Sequence, residues 1–136
     1  MGSGSTSGVI QGLNFVAADA RMRDGCSAGA VVNISLGGSY SAALNGAAAA
    51  LVGSGVFVAV ASGGSGDDAA RYSPASEPSV CTVGASDEEN RAASYSNSGS
   101  LVDVYAPGSS VLSTWNTGTI SRVSPLSGLP SMPPFY

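Results

Sequence analysis

Ala30–Gly38, AVVNISLGG, and Phe57–Gly66, FVAVASGGSG, frame the unit that decides the fold. Each is a β-branched apolar run that ends on glycines, as a strand does when it empties into a tight loop. Between them, Ser41–Leu51 reads SAALNGAAAAL, a run of small helix-forming residues with Gly53 and Gly55 as stop signals. Strand, helix and strand in this order predict a right-handed βαβ crossover from Ala30 to Ala61 with its two strands parallel.

Working outward, Val9, Leu13, Val16, Ala17 and Ala20 recur at helical spacing, which predicts a helix from about Ser7 to Arg23. Downstream, SVCTVGA (Ser79–Ala85), LVDVYA (Leu101–Ala106) and VLSTW (Val111–Trp115) read as further strands. The central strands are apolar on both faces, so the expected class is α/β, a parallel sheet with helices on both faces. Ligands gather at the carboxyl ends of strands in such sheets. Here those ends carry Gly37-Gly38 and Gly63-Gly64-Ser65-Gly66. The pattern stops after Ser121: Arg122–Tyr136, RVSPLSGLPSMPPFY, holds four prolines and predicts no regular element.

Composition narrows the function classes. The 136 residues allow one domain or a piece of a larger one. Only 10% of them are charged, against about 25% in ordinary soluble domains. The apolar share leans on alanine, with 19 glycines beside it. Small side chains bury little area each, so such a core favours a layered α/β domain over a small bundle. Net charge is −4, with no lysine and with Arg21, Arg23, Arg71, Arg91 and Arg122 scattered along the chain. No basic stripe can neutralise a nucleic-acid backbone, which excludes nucleic acid as a partner. No run approaches the roughly 18 apolar residues of a membrane span. The opening MGSGSTSG lacks the charged and apolar regions of a signal peptide and reads as a loop in mid-domain.

Cys26 and Cys81 could bridge each other, be two free buried thiols, or have lost partners that lie outside the chain; Cys81, in an apolar run, suits a buried thiol. Neither has the companions of a zinc site. Asn33-Ile34-Ser35 is a glycosylation sequon inside a strand expected to be buried, and so is expected to be unused.

A phosphate cradle would need a Lys and a Ser/Thr after the glycines, or a GxGxxG opening a helix; neither is present, and Asp67 and Asp68 would repel an anion. Serine chemistry needs a general base, and this chain has no His and no Lys. A Ser-His-Asp triad or a Ser-Lys dyad cannot be assembled from these residues alone. Asp67-Asp68 and Asp87-Glu88-Glu89 read as solvated turn residues. Asp103 differs, because its place in LVDVYA predicts a carboxylate within an apolar strand, which needs a partner. Either a hard calcium ion held by carboxylate and carbonyl oxygens or a hydrogen-bonded core aspartate satisfies that need.

Five segments carry a family resemblance: ISLGG (Ile34–Gly38), GVFVAVASG (Gly55–Gly63), YSPASEPSVCTVGASD (Tyr72–Asp87), SYSNSGSLVDVYAPG (Ser94–Gly108) and VLSTW (Val111–Trp115). In order, they resemble consecutive stretches of subtilisin-like serine endopeptidases of the proteinase K branch. The likeness runs from about Gly2 to Trp115, with an insertion near Arg23–Gly25, and covers the middle of a catalytic domain. It implies residues 1–121 as the central part of a peptidase domain and 122–136 as an irregular, proline-rich tail off the family pattern.

Carried over residue by residue, the resemblance places Ser35, Leu36, Gly37 and Gly38 along the specificity pocket. Ala61, Ser62 and Gly63 then form the opposite wall, and Gly2, Ser3 and Gly4 the edge that pairs with an extended peptide substrate or inhibitor. Carbonyls of Pro78 and Val80 and the Asp103 carboxylate would hold a structural calcium ion. Gly64 stands where the family has its oxyanion asparagine. In subtilisin itself, loss of that donor costs about 10²–10³ in turnover. The nucleophile's Gly-Thr-Ser-Met-Ala motif is not recognisable; a gapless register puts Ser127 there, and one gap puts Ser131. The family's catalytic Asp and His are expected upstream of Met1, and the bridge partners of Cys26 and Cys81 outside the chain, leaving both thiols unpaired. The expectation is therefore a fragment of a secreted subtilisin-like endopeptidase, inactive as it stands. The alternative is a non-catalytic peptide-binding or inhibitory module.

Overall fold

Ser41 opens the helix around which the fold is arranged. Its hydroxyl accepts the Leu44 N–H at 3.3 Å and so caps α2, Ala42–Gly53. The helix closes where Ser54 N–H returns to Ala50 O and Gly55 takes a φ of 87°, a conformation glycine adopts without strain. The computed structural model describes residues 4–22, 29–114 and 120–123. Before α2 come α1, Thr6–Met22, with Ser5 Oγ accepting Gly8 N–H at 3.1 Å, then β1, Ala30–Ile34, and β2, Gly38–Ser39. After it come β3, Val56–Ala61, β4, Tyr72–Ser73, and β5, Cys81–Ser86. The described chain ends with β6, Val104–Pro107, β7, Val111–Thr114, and β8, Ile120–Val123.

Strands β1, β3, β5 and β6 form one sheet in the order β1-β3-β5-β6, parallel throughout. The predicted βαβ unit is therefore present, with Ala30 opposite Val56 and Ile34 opposite Val60. Two antiparallel ribbons, β2 with β4 and β7 with β8, are attached to it. Regular structure runs two residues past the boundary read from the sequence, because Arg122 and Val123 pair with Leu112 and Val111 ahead of the proline-rich tail.

Side chains alternate across a strand, so β3 sends Val56, Val58 and Val60 one way and Phe57 and Ala59 the other. The first set is buried against Leu44, Ala48 and Leu51 of α2 and Leu13 of α1. All five residues that predicted the α1 face, Val9, Leu13, Val16, Ala17 and Ala20, join this core. Burying side chains such as Leu51, Val58 and Val60 contributes about 1.5–3 kcal/mol each.

The α/β class holds, as a parallel sheet with helices packed on it. Among the described residues α1 and α2 both cover one face. Val31 and Phe57, register partners on the uncovered side, are 73% and 56% exposed. Asn33 lies on that side too and is exposed, not buried as its strand position predicts; its Nδ2 donates to Ser35 Oγ at 2.8 Å. The sixth strand also starts later than LVDVYA suggests. Asp103 precedes β6 and is exposed, because Leu101 and Val102 belong to a turn closed by Val102 N–H to Gly99 O. Cys81, half-buried at the start of β5, is a free thiol, whereas Cys26 and the Arg23–Gly25 insertion lie outside the described residues.

Candidate functional site: two strand ends and a clamped loop

The register that sets Ile34 beside Val60 carries the next residues of both strands out at the same edge. Ser35 to Gly38 thus leave β1 next to Ala61 to Gly64 leaving β3. Leu36, Gly37 and Gly38 are exposed, Ser35 is half-buried, and Gly63 and Gly64 are partly open. A side chain at Gly37 would meet the Ser73 carbonyl at 3.3 Å, so β1 exits against the β2–β4 ribbon with no room to spare. Ser62 extends the ladder one step beyond β3 by donating its N–H to Val83 O at 2.9 Å.

Beyond Ser62 the loop wraps around one side chain. Asn97 is fully buried. Its Nδ2 donates to Ser62 O at 2.9 Å, and its Oδ1 accepts from Ser65 N at 2.9 Å and from Asp67 N at 3.1 Å. Its own N–H donates to Gly63 O at 2.9 Å. Gly63 has a φ of 101°, and a Cβ there would lie 2.4 Å from Asn97 Nδ2; only glycine satisfies both constraints. The adjacent Ser96 hydroxyl accepts Ala85 N–H at 2.9 Å, tying the same segment to β5.

This wiring is not that of a phosphate cradle. A phosphate cradle presents several loop N–H groups to the anion. Here Ser65 and Asp67 donate to Asn97, Gly66 donates to Tyr95 O at 2.8 Å, and Ala69 donates to Ser98 O at 2.8 Å. Those donors are spent inside the protein. Asp67 also sets a negative charge at the loop's end, paired with Arg71 Nη1 at 3.1 Å. The Asp68 N–H, with Arg71 beside it, holds the Asp67 carboxyl below the ordinary carboxylate range. Asp87 is held low in the same way, first by the Arg91 N–H and then by its guanidinium. Both acidic runs are thus locally satisfied turns, as the sequence predicts.

The sequence pattern described as the Subtilase family matches residues 2–131. The chain belongs to the subtilase family. Its relatives include the cuticle-degrading protease of Metarhizium anisopliae, 57% identical over 123 residues, or 90% of this chain and 31% of that protein. Proteinase R of Parengyodontium album is 52% identical over 123 residues, covering 90% of this chain and 32% of that protein. This likeness sets the subtilase chain on the proteinase K branch. A crystal structure of a cold-adapted subtilisin-like serine proteinase superposes with a TM-score of 0.80 at 43% identity, covering 90% of this chain and 43% of that one. The chain thus spans about a third of the length of these curated relatives.

The remaining residues singled out in the subtilase sequence are only partly brought together. Gly4 is exposed directly ahead of the Ser5 cap, and no hydrogen bond among the described residues joins it to the two strand ends. Gly2, Ser3, Ser127 and Ser131 lie outside the described residues. Pro78 is exposed, Val80 is buried at the approach to β5, and Asp103 faces the start of that strand. Asp103 Oδ2 accepts the Thr82 N–H at 2.7 Å, so its carboxylate has a protein partner even outside an apolar strand. One carboxylate with two backbone carbonyls is the hard-oxygen chemistry that calcium takes, with water completing the shell. No group of three or more His, Cys, Asp or Glu side chains is arranged to hold a metal ion among the described residues. Sequence reading missed Asn97 altogether: it lies in the serine-rich stretch Ser94–Ser100, which looks like solvated loop.

Proposed function

We propose that this chain is the substrate-binding part of a subtilisin-like serine endopeptidase, and that its 136 residues do not hydrolyse peptides by themselves. The observation that carries the reading is the pairing of Ile34 with Val60, which brings Ser35–Gly38 and Ala61–Gly64 out side by side. Two glycine-bearing strand ends let an extended peptide lie against the protein backbone, since no Cβ holds it away. Gly2, Ser3 and Gly4 supply the pairing edge in this reading. Gly64 offers backbone but no side-chain donor at the oxyanion position, and Ser127, or Ser131, stands at the nucleophile position. An acyl-enzyme forms only when a base takes the serine proton, and the chain has neither His nor Lys. Cleavage therefore belongs to the longer, secreted parent. Pro78 O, Val80 O and the Asp103 carboxylate would hold a structural calcium ion, whose charge would fix the approach to β5.

The test uses the full chain with an N-acetylated alanine pentapeptide amide ending in phenylalanine, and separately with a serine-directed covalent probe. Saturable binding without cleavage and without labelling is expected. Peptide hydrolysis at neutral pH, or labelling by the probe, whether or not it is lost on replacement of Ser127 and Ser131, overturns the inactivity. Absence of binding by a demonstrably folded chain overturns the groove.

A further inference from the structure

Gly64 is fixed from both sides by one residue that lies 33 positions away along the chain. On its N-terminal side, Asn97 binds Ser62 O through Nδ2 and Gly63 O through its backbone N–H; on its C-terminal side, Asn97 Oδ1 binds Ser65 N. A fourth bond, from Asp67 N, closes the loop. We infer that Asn97 is a positioning residue of the groove wall, setting the direction in which Gly64 presents its backbone to a bound peptide. The inference rests on the proposed role of Ala61–Gly64 as that wall.

The chemistry of the side chain is specific. The loop presents one carbonyl and two N–H groups to the buried Asn97 side chain, and a carboxamide matches them with a donating NH2 and an oxygen that accepts twice. A leucine of similar volume would fill the space and leave all three groups unpaired. A carboxylate would keep the acceptor but set a second oxygen against the Ser62 carbonyl. Core filling alone would tolerate the first change, and loop wiring tolerates neither. Gly63 adds a steric term: its missing Cβ is the space the Asn97 amide occupies.

Two variants of the full chain separate these roles. Asn97→Leu is expected to speed amide exchange at Ser65 and Asp67 by about tenfold or more while Val58 and Val60 in β3 stay protected. Asn97→Asp keeps the acceptor. It is expected to leave Ser65 and Asp67 protected, shift the Gly64 amide resonance and weaken binding of the acetylated pentapeptide by about tenfold. Should Asn97→Leu fail to fold, Asn97→Asp carries the test, because its unfolding midpoint reports global stability beside the local signals. Unchanged exchange at Ser65 and Asp67 in a folded Asn97→Leu chain, or an unmoved Gly64 resonance in Asn97→Asp, overturns the inference. The exchange measurement needs no peptide. A wild-type chain that binds none, with the loop still released by Asn97→Leu, therefore overturns the groove reading and leaves the clamp standing.

Discussion

Asp103 and Thr82 hold each other twice: Asp103 Oδ2 accepts the Thr82 N–H at 2.7 Å, and Asp103 N–H donates to Thr82 O at 2.9 Å. The reciprocal pair fixes β6 beside β5 at the point where β6 begins. Its side-chain half is charge-assisted, and Thr82 is buried.

Replacing Asp103 with alanine should therefore cost about 1–3 kcal/mol in urea unfolding by orphaning the Thr82 N–H. Added calcium should raise the thermal midpoint of the wild type and leave Asp103→Ala unmoved, since a ligand stabilises only the state that binds it. Equal stabilisation of both chains would move the cation away from Asp103.

Glycines 63 and 64 are neighbours whose tolerances are expected to differ. Gly63→Ala places a Cβ 2.4 Å from Asn97 Nδ2 in a backbone region L-residues avoid, and should cost about 2 kcal/mol or more. Gly64 does not share the positive φ of Gly63 and Gly66, so Gly64→Asn should change stability by no more than about 1 kcal/mol. Chemical denaturation of the two variants side by side decides this, and equal losses would refute it.

Leu51 and Phe57 are both apolar, yet their substitutions should part company. Leu51→Ala empties the centre of the α2–β3 core and should cost about 2–5 kcal/mol. Phe57→Ser touches the uncovered face and should lie within about 0.5 kcal/mol of wild type while reducing self-association. A loss at Phe57 comparable to that at Leu51 would mean that the face is covered in solution.

Acid should loosen two loops before the sheet. Asp67 and Asp87 are held below their ordinary value of 3.8, so their contribution is complete above that value and is lost as pH falls through the depressed ones. Amide protection factors over residues 67–72 and 87–91, which discount the intrinsic slowing of exchange in acid, should fall on acidification below about pH 4, with those of Val58 and Val60 unchanged. Asp67→Asn should abolish the effect in the first loop only; a variant that keeps the acid response there would assign it elsewhere.

The fold was legible wherever one local pattern and one burial surface agreed. The βαβ unit from Ala30 to Ala61 and the buried stripe of α1 are of that kind, because period and composition point the same way. Asp103 misled because alternation in LVDVYA continues through a turn: Leu101 and Val102 are half-buried without being in a strand. Asn33 misled because strand composition reports β-geometry and not which face finds a covering layer. The proposed peptide-pairing edge, Gly2, Ser3 and Gly4, rests on the family likeness alone. Asn97 was legible through nothing local, since the groups that close around its side chain, Ser62 O, Ser65 N and Asp67 N, lie 30 to 35 residues away.

The interlock between Gly63 and Asn97 also bears on inheritance. A side chain at position 63 collides with the Asn97 amide, and loss of that amide strands the three groups it binds, so the two behave as a single heritable character split across the gene. Position 63 should stay glycine even in lineages that drop the asparagine, because its φ of 101° bars other residues on its own, and a designer who wishes to reshape the wall must redraw that backbone together with position 97.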